Sequence, residues 1–368
     1  MKILFVVNDI DFFFSHRLPL AIKLNSKGEQ VHVASNKVPD QEISGIFFHS
    51  FKIDRANTGI YNNLNSIFQL KGIIKIVNPE VVHNVTLKPI LFSSLLLIFN
   101  KKIKVVNAVS GLGFLFTQKR LSISKSLIKI ILRFIIKLRS PFFIFQNKED
   151  LLEFKKLGIN REYKLIKGSG VDPSDFHYAA PKQKEKVNIA FTGRILKDKG
   201  ILELIQAIKL LPDNLKSKTI LNIYGKIDLD NPAFIKEEQF KNLIHSEFII
   251  WHGFAKNIIK VLLDSDIYCL PSYREGLPKS TIEAMAIGRP IITTNAPGCD
   301  DTVDEGVNGF KIKVGDAEAL KNKLQILIED EELRIQMGKK SRGLFEREFT
   351  LEKVLNQTFE IYKKLLQK

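Results

Sequence analysis

A chain of 368 residues that is 45% hydrophobic and 26% charged is long enough for two domains that each bury a core. Its two cysteines, Cys269 and Cys299, exclude a disulfide framework and point to a reducing compartment. The net charge of +16 is one-sided: residues 1–180 hold 26 Lys and Arg against 13 Asp and Glu, and residues 181–368 hold 30 against 27. Val81–Lys148 carries 12 basic residues and no acidic one, so an anionic partner is expected: phosphates, an acidic membrane surface or nucleic acid. A lysine-rich compositional habit would account for the total, not for the avoidance of acids in one segment.

The apolar start MKILFVV is short and is broken by Asn8, Asp9 and Asp11, which predicts a first buried strand over Ile3–Val7 and not a signal peptide. Further strands are expected at Gln30–Ser35, Val81–Val85, Ile103–Val109 and Phe142–Gln146. Helices are expected at Pro19–Ser26, Ile60–Val77, Pro89–Phe99 and Ser124–Leu138. Continuous apolar strands alternating with helices imply a parallel sheet covered on both faces. Within KRLSISKSLIKIILRFIIKLR, Lys125, Lys129, Arg133 and Lys137 recur every four residues, along one side of a helix otherwise built of Leu, Ile and Phe. Too many charges interrupt it for a membrane span, and the pattern fits a basic amphipathic helix lying in a membrane interface. An internal helix that covers the sheet and turns its lysines to water is the alternative.

Gly, Ser, Pro and charge cluster at KGSGVDPSDFHYAAPKQKEK, residues 167–186, the expected domain boundary. Beyond it the pattern repeats. Strands are expected at Val187–Thr192, Thr219–Tyr224, Phe248–Trp251, Ile267–Pro271, Pro290–Thr294 and Gly309–Val314, and helices at Gly200–Leu210, Ile258–Leu263, Ser280–Ile287 and Ala317–Glu329. A final helix, Leu351–Leu366, has no strand after it.

Three motifs follow strands in this half. GRILKDKG begins at Gly193, which allows a tight turn, and sends Arg194 and Lys199 out at the carboxyl end of a strand, where open α/β sheets bind ligands. Arg offers a planar fork for phosphate oxygens and Lys a point charge. Taken alone, a basic loop is equally well explained by solvation. PSYREGLPKSTIEAMAIGRP places Glu275 at a strand end, then a Gly-Leu-Pro turn, then a helix opened by Lys279 or Ser280 whose free N–H groups suit a diphosphate. Glu283 follows Glu275 after seven intervening residues. A glycosidase carboxylate pair needs a separation of about 5–9.5 Å, and eight steps of one helix would span ~12 Å. Pro278 prevents one continuous helix, so the pair is not excluded. Two carboxylates with different tasks on one elongated ligand fit better, while a lone Glu283 would read as a surface ion pair. TTNAPGCDDTVDEGVNGF supplies a third loop on the same edge.

REGLPKSTIEAMAIGRPIITTNAPGCDDTVDEGVNGF resembles the signature of family-4 retaining glycosyltransferases with the GT-B fold, and is most similar to the bacterial branch that builds lipid-linked glycans. NDIDFFFSHRLPLA, NAVSGLGFLF, GSGVDPSDF and DLDNPAF extend the resemblance over nearly the whole chain. It implies two Rossmann-like, doubly wound α/β domains facing a cleft: residues 1–172 on the acceptor and membrane side, residues 173–350 for the nucleotide sugar, and a helix over 351–368 returning to the first domain. It implies that Arg194 and Lys199 hold the donor diphosphate, that Glu275 binds hydroxyls of the transferred sugar and that Glu283 holds the ribose. The amides of Gly276 and Leu277 would approach the phosphates, Gly193 would let the backbone close in, and Trp251–Phe254 would rim the base pocket. Many relatives carry a histidine where this chain has Ser110, and often an arginine where it has Asp300. His16 and His83 are candidates to cover the missing histidine, and Arg17 and Lys88 join them on the acceptor side.

The expected reaction is a retaining, metal-independent transfer of a sugar, a HexNAc, from a UDP-sugar to a polyprenyl-diphosphate-linked saccharide, by an enzyme peripheral on the cytoplasmic face of the plasma membrane. No cofactor or metal is expected, because Arg194, Lys199 and a helix start can neutralise the diphosphate. The Asp9/Asp11, Asp228/Asp230 and Asp264/Asp266 pairs have spacing that is common by chance. Two other readings stand beside it: another GT-B-like enzyme such as a nucleotide-sugar epimerase, and a basic nucleic-acid-binding protein. The last lacks zinc spacing, interleaved aromatics and a recognition-helix motif, so nucleic acid is not the expected partner.

Overall fold

The computed structural model describes residues 1–53, 60–111, 123–181, 185–229 and 231–367; the side chains of residues 60–62 and 123–125 also lie outside that description. The chain forms two compact units, residues 1–169 together with 352–368, and residues 170–351.

The first unit is built on seven parallel strands: β1 (Lys2–Val6), β2 (Gln30–Ser35), β3 (Ile46–Ser50), β4 (Val81–Val85), β5 (Lys104–Val109), β6 (Phe142–Phe145) and β7 (Tyr163–Leu165). Their order is β3-β2-β1-β4-β5-β6-β7, with pairings such as Ile3–Val81 and Val82–Val105 in register. The central strands are buried on both faces and lack polar alternation, and where buried amides interrupt β4 and β5, Asn84 donates to Asn107 at 2.7 Å. The sequence pattern does not show the two edge strands. β7 has only three residues, and β3 leaves Phe47 and His49 partly in solvent. Two short helices were also not expected. In Ile10–His16 the Asp9 carboxylate accepts from the amides of Asp11 (2.9 Å) and Phe12 (3.3 Å), and in Lys148–Lys155 Asn147 caps the Asp150 amide at 2.8 Å.

The expected helix over Pro89–Phe99 spans Leu87–Leu96, and the basic helix runs over Ile123–Arg139. The basic helix does two things at once. Leu132, Ile135 and Ile136 pack into the core, whereas Leu127, Ile130 and Phe134 are 55%, 58% and 51% exposed, in line with exposed Leu138. Arg133 and Lys137 are exposed beside that apolar stripe and Lys129 is half-buried; the Lys125 side chain lies outside the described residues. Arg139 fixes the helix end by donating to the carbonyls of Asn100 (2.8 Å) and Ile103 (2.5 Å). Among the described residues no helix is long and apolar enough to cross a membrane.

The last helix, Leu351–Leu366, buries Val354, Leu355, Thr358, Ile361 and Tyr362 along one face. Residues 352–368 belong to the first unit, where the Tyr362 hydroxyl meets His83 Nδ1 in β4.

The second unit has six parallel strands: β8 (Val187–Thr192), β9 (Thr219–Tyr224), β10 (Ile249–Trp251), β11 (Ile267–Leu270), β12 (Ile291–Thr294) and β13 (Gly309–Ile312), in the order β10-β9-β8-β11-β12-β13. The winding reverses between β8 and β11, which makes the carboxyl edge at these two strands a topological switch point, where open α/β sheets bind ligands. GRILKDKG leaves β8, PSYREGLPKS leaves β11 and NAPGCD leaves β12. The helix Glu331–Glu348 was missed because its surface is strongly polar and Gly338 and Gly343 interrupt its pattern. Gly338 is needed there: a Cβ on it would lie 2.2 Å from the Gly288 carbonyl oxygen, so only glycine lets this helix meet the end of Lys279–Ile287.

Candidate active site

The carboxyl edge of the second sheet is assembled by glycines that bring three loops into contact. Gly200, at φ +70°, sits where a Cβ would be 1.9 Å from the Pro271 carbonyl oxygen, which presses the β8 loop onto the β11 loop. Gly298, at φ +76°, would place a Cβ 2.4 Å from the Glu275 carbonyl oxygen, which presses the β12 loop onto the same segment. Hydrogen bonds hold these contacts. The Tyr273 amide donates to the Asp198 carbonyl at 2.8 Å, the Ser272 hydroxyl to the same carbonyl at 3.1 Å, and the Glu275 amide to the Pro297 carbonyl at 2.9 Å. Glu275 is therefore five residues beyond the end of β11, not at the strand end, and the neighbouring loop fixes its backbone.

Lys199 follows the short turn after β8 and its ammonium is ion-paired with Glu275. Arg194 turns instead to Asp228, at 2.6 Å, with its side chain still 40% exposed. Asp198 lies between the two cations in sequence and feels the charge of both. Burial and Glu275 raise its carboxyl above the usual range, against the pull of Lys199 and Arg194, and its Oδ1 is buried without a partner. Sequence reasoning passed over Asp198, although its place between two lysines in GRILKDKG marked it.

Lys279 opens the helix Lys279–Ile287, which is buried from Thr281 onward. Glu283 is 8% exposed and reaches back one turn to Lys279 at 2.9 Å. Burial raises its carboxyl, and Lys279 only partly offsets this. Beneath the loops lies Tyr268, another residue missed from the sequence. Its hydroxyl bonds Thr192 at 3.0 Å and Ser280, and burial together with the nearby Glu283 and Glu275 raises its pKa. Gly276 is half-buried and Leu277 is buried, just ahead of the helix start.

On the other side of β8, a Cβ on Gly225 would lie 1.7 Å from the Gly193 carbonyl oxygen, so these two turns touch. The Gly225 amide bonds the Gly253 carbonyl at 2.7 Å, and Trp251 Nε1 donates to the Gly225 carbonyl at 2.8 Å. Phe254, next to them, is 66% exposed with the Lys226 ammonium 5.1 Å from its ring centre. The two thiols play no part as nucleophiles by environment. Both are buried, and burial pushes Cys299 up to about 12 and Cys269 higher still. Asp300 is ion-paired with Lys311 at 2.8 Å.

The remaining candidates are in the first unit, described by itself. Arg17 is buried between the first two helices and its Nη2 donates to Ser110 Oγ at 3.2 Å, so Ser110 is bound to the arginine. His83 is buried in β4. His16 is half-buried, stacked on Phe12 with ring centres 4.1 Å apart and 2.7 Å from Ser15 Oγ. These two and Arg17 line one small pocket; Lys88, in the first turn of Leu87–Leu96, is not among its lining residues. Of NAVSGLGFLF, residues 112–116 lie outside the described residues.

The aspartate pairs have structural employment: Asp9 caps a helix, Asp228 holds Arg194, and Asp266 accepts the Asn188 amide at 2.8 Å. Asp230 lies outside the described residues. Among the described residues no group of three or more His, Cys, Asp or Glu side chains is placed to hold a metal ion.

Comparison with known proteins agrees with this geometry. Residues 174–344 match the model of "Glycosyl transferases group 1" and residues 2–141 that of "Glycosyl transferase 4-like". The chain is 26% identical over 362 residues to the N,N'-diacetylbacillosaminyl-diphospho-undecaprenol alpha-1,3-N-acetylgalactosaminyltransferase of Campylobacter jejuni, covering 92% of each chain. It is 26% identical over 317 residues to the UDP-Gal:alpha-D-GlcNAc-diphosphoundecaprenol alpha-1,3-galactosyltransferase of Escherichia coli, covering 83% of this chain and 81% of that one. Its fold is similar to that of Anabaena HepE in complex with UDP and glucose, with a TM-score of 0.80 at 17% identity over 99% of this chain and 100% of the other.

Proposed function

The chain is a glycosyltransferase of group 1, and from that premise we propose that it moves a sugar, a HexNAc, from a UDP-sugar to a polyprenyl-diphosphate-linked saccharide in surface-glycan assembly. The observation that carries this reading is the clustering of Arg194, Lys199, Asp198 and Glu275 on the two loops that leave β8 and β11 at the switch point of the second sheet, beside the buried helix that bears Glu283. In the proposed reaction the bond between the anomeric carbon and the diphosphate oxygen breaks, and negative charge grows on the departing diphosphate. Lys199 and Arg194 exchange their carboxylate partners for phosphate oxygens, and the Gly276 and Leu277 amides with the helix start add fixed dipoles. Glu275, released from Lys199, accepts hydroxyls of the transferred sugar. Glu283 accepts the ribose hydroxyls, and Phe254 and Trp251 flank the base. The leaving phosphate takes the acceptor proton on the face it vacates, which retains the anomeric configuration without a separate base.

The relatives from Campylobacter and Escherichia name undecaprenyl-diphosphate acceptors, which supports an acceptor of that class. A second observation supports work at an anionic membrane: the exposed apolar stripe of Leu127, Ile130, Phe134 and Leu138, bordered by Arg133 and Lys137, in a segment without acidic residues. The proposed site of action is the inner face of the plasma membrane. The test is a screen of nucleotide sugars with the purified protein, with and without a prenyl-diphosphate-linked saccharide and in excess EDTA. Transfer from a UDP-HexNAc that needs the lipid-linked acceptor and survives EDTA is expected. Turnover of the donor to a free isomeric sugar would instead mark an epimerase, and loss of activity restored by Mg²⁺ or Mn²⁺ would refute metal independence.

A further inference from the structure

The donor chemistry leaves one polar pocket unused. It lies within the first unit, between Arg17, His83 and Ser169, with Ile144, Ile166 and Thr358 closing it. The three polar residues are 5%, 1% and 7% exposed, and each has a buried atom without a partner: Arg17 Nε, His83 Nε2 and Ser169 Oγ. The rest of the guanidinium meets only neutral acceptors, the His16 carbonyl at 3.3 Å and Ser110 Oγ at 3.2 Å. Among the described residues no carboxylate pairs with Arg17, so a full positive charge is buried uncompensated, a state that strongly favours binding a counter-ion.

The histidine adds a donor of known direction. Burial, reinforced by Arg17, holds the ring neutral, and burial keeps the Tyr362 phenol protonated. The phenol therefore donates to Nδ1, which leaves the proton on Nε2. Arg17 Nε–H, His83 Nε2–H and the Ser169 hydroxyl are then three unused donors around one small space, with a net positive charge and, among the described residues, no carboxylate in its lining. That set is complementary to an oxyanion.

We propose that this pocket is a phosphate-binding subsite in which Arg17, His83 and Ser169 hold one phosphate group of the acceptor's diphosphate. The assignment to the acceptor rests on the function proposed above; the oxyanion chemistry does not. Donor phosphates have their own cations, Arg194 and Lys199, in the second unit.

The test uses the full chain carrying Lys199→Gln, so that pyrophosphate binding in the second unit is weakened. Inorganic pyrophosphate should raise its Tm, and adding Arg17→Gln should abolish the rise. In the otherwise native chain, Arg17→Gln should raise KM for a prenyl-diphosphate-linked saccharide about 10- to 100-fold, the effect of one charged hydrogen-bond donor. The Kd for UDP should stay unchanged. Because the variant removes an unpaired buried charge, its Tm without ligand should equal or exceed the parent's. Should it nevertheless fail to fold, Ser169→Ala, which removes one donor at little cost in volume, carries the same test with a smaller rise in KM. A pyrophosphate response and acceptor KM untouched by both substitutions would overturn the subsite. A rise in Kd for UDP-sugar with acceptor KM unchanged would assign the pocket to the donor phosphate and overturn the acceptor assignment. An Arg17-dependent pyrophosphate response in a protein that transfers nothing to the lipid-linked acceptor would leave the subsite standing and sink the acceptor reading instead.

Discussion

Replacing Gly200 with alanine tests whether the loop contact at the carboxyl edge positions Lys199 for its proposed catalytic role. Two costs follow from the structure. The backbone is left-handed at φ +70°, which costs a residue with a Cβ about 1–2 kcal/mol. The new Cβ would also stand 1.9 Å from the Pro271 carbonyl oxygen, against the 3.0 Å below which Cβ contacts are essentially never seen, so the two loops must part by about 1.1 Å. Both atoms belong to backbone, so no side chain can rotate away. Lys199 immediately precedes the displaced residue, and a misplacement of about 1 Å at a reacting centre can lower turnover ~100-fold. Gly306→Ala is the matched control. Its φ is +73° and nothing lies within 4 Å of the added Cβ, so it meets the same backbone cost without the clash. It precedes β13, at the amino edge of the sheet, away from the three loops. UDP release from a cognate UDP-sugar gives turnover and thermal unfolding gives stability. Both variants should lose Tm, with Gly200→Ala losing more, and only Gly200→Ala should lose activity by about two orders of magnitude. Equal activity in the two at substrate saturation would show that the β8–β11 loop contact does not position Lys199.

Glu283→Gln should stabilise the free protein and weaken UDP binding together. The folded-state carboxyl is raised above its ordinary value of 4.5, so its favourable share of stability is complete below that value and is lost as pH rises through the raised one. The Tm of Glu283→Gln relative to the parent should therefore widen from pH 5 toward pH 8, while the Tm gain on adding UDP shrinks. An undiminished UDP response would remove Glu283 from the ribose. Exchanging Lys125, Lys129, Arg133 and Lys137 for Gln should lower binding to anionic vesicles, at about 1 kcal/mol per charge near the surface, and lower turnover on lipid-linked acceptor with it. High salt should release only part of the parent protein, because the Leu127, Ile130 and Phe134 contacts are apolar. Vesicle binding equal to the parent's would make the helix a sheet cover and nothing more.

Much of this protein is written in its local sequence. Interior strands such as Phe142–Phe145 and Ile267–Leu270 are continuous apolar runs because both faces of a parallel sheet are buried. Helices such as Ala317–Glu329 and Leu351–Leu366 show a clear apolar period, so composition and period alone determine them. The three loop motifs of the second half could be placed because each sits directly after a strand. The edge strands Ile46–Ser50 and Tyr163–Leu165 were not, since these two bury too little to impose a pattern. Nor was Glu331–Glu348, whose Gly338 is explained only by a neighbour fifty residues away in sequence, Gly288. Tertiary structure alone decided which charges meet. It paired Lys199 with Glu275 and Arg194 with Asp228 across loops distant in sequence. It also gathered Arg17, His83 and Ser169 into one pocket with, among the described residues, no acid in its lining. Periodicity reports the solvent each face meets, whereas the partner of a buried polar atom depends on how strands distant in sequence are ordered in the sheet, and no local pattern carries that information.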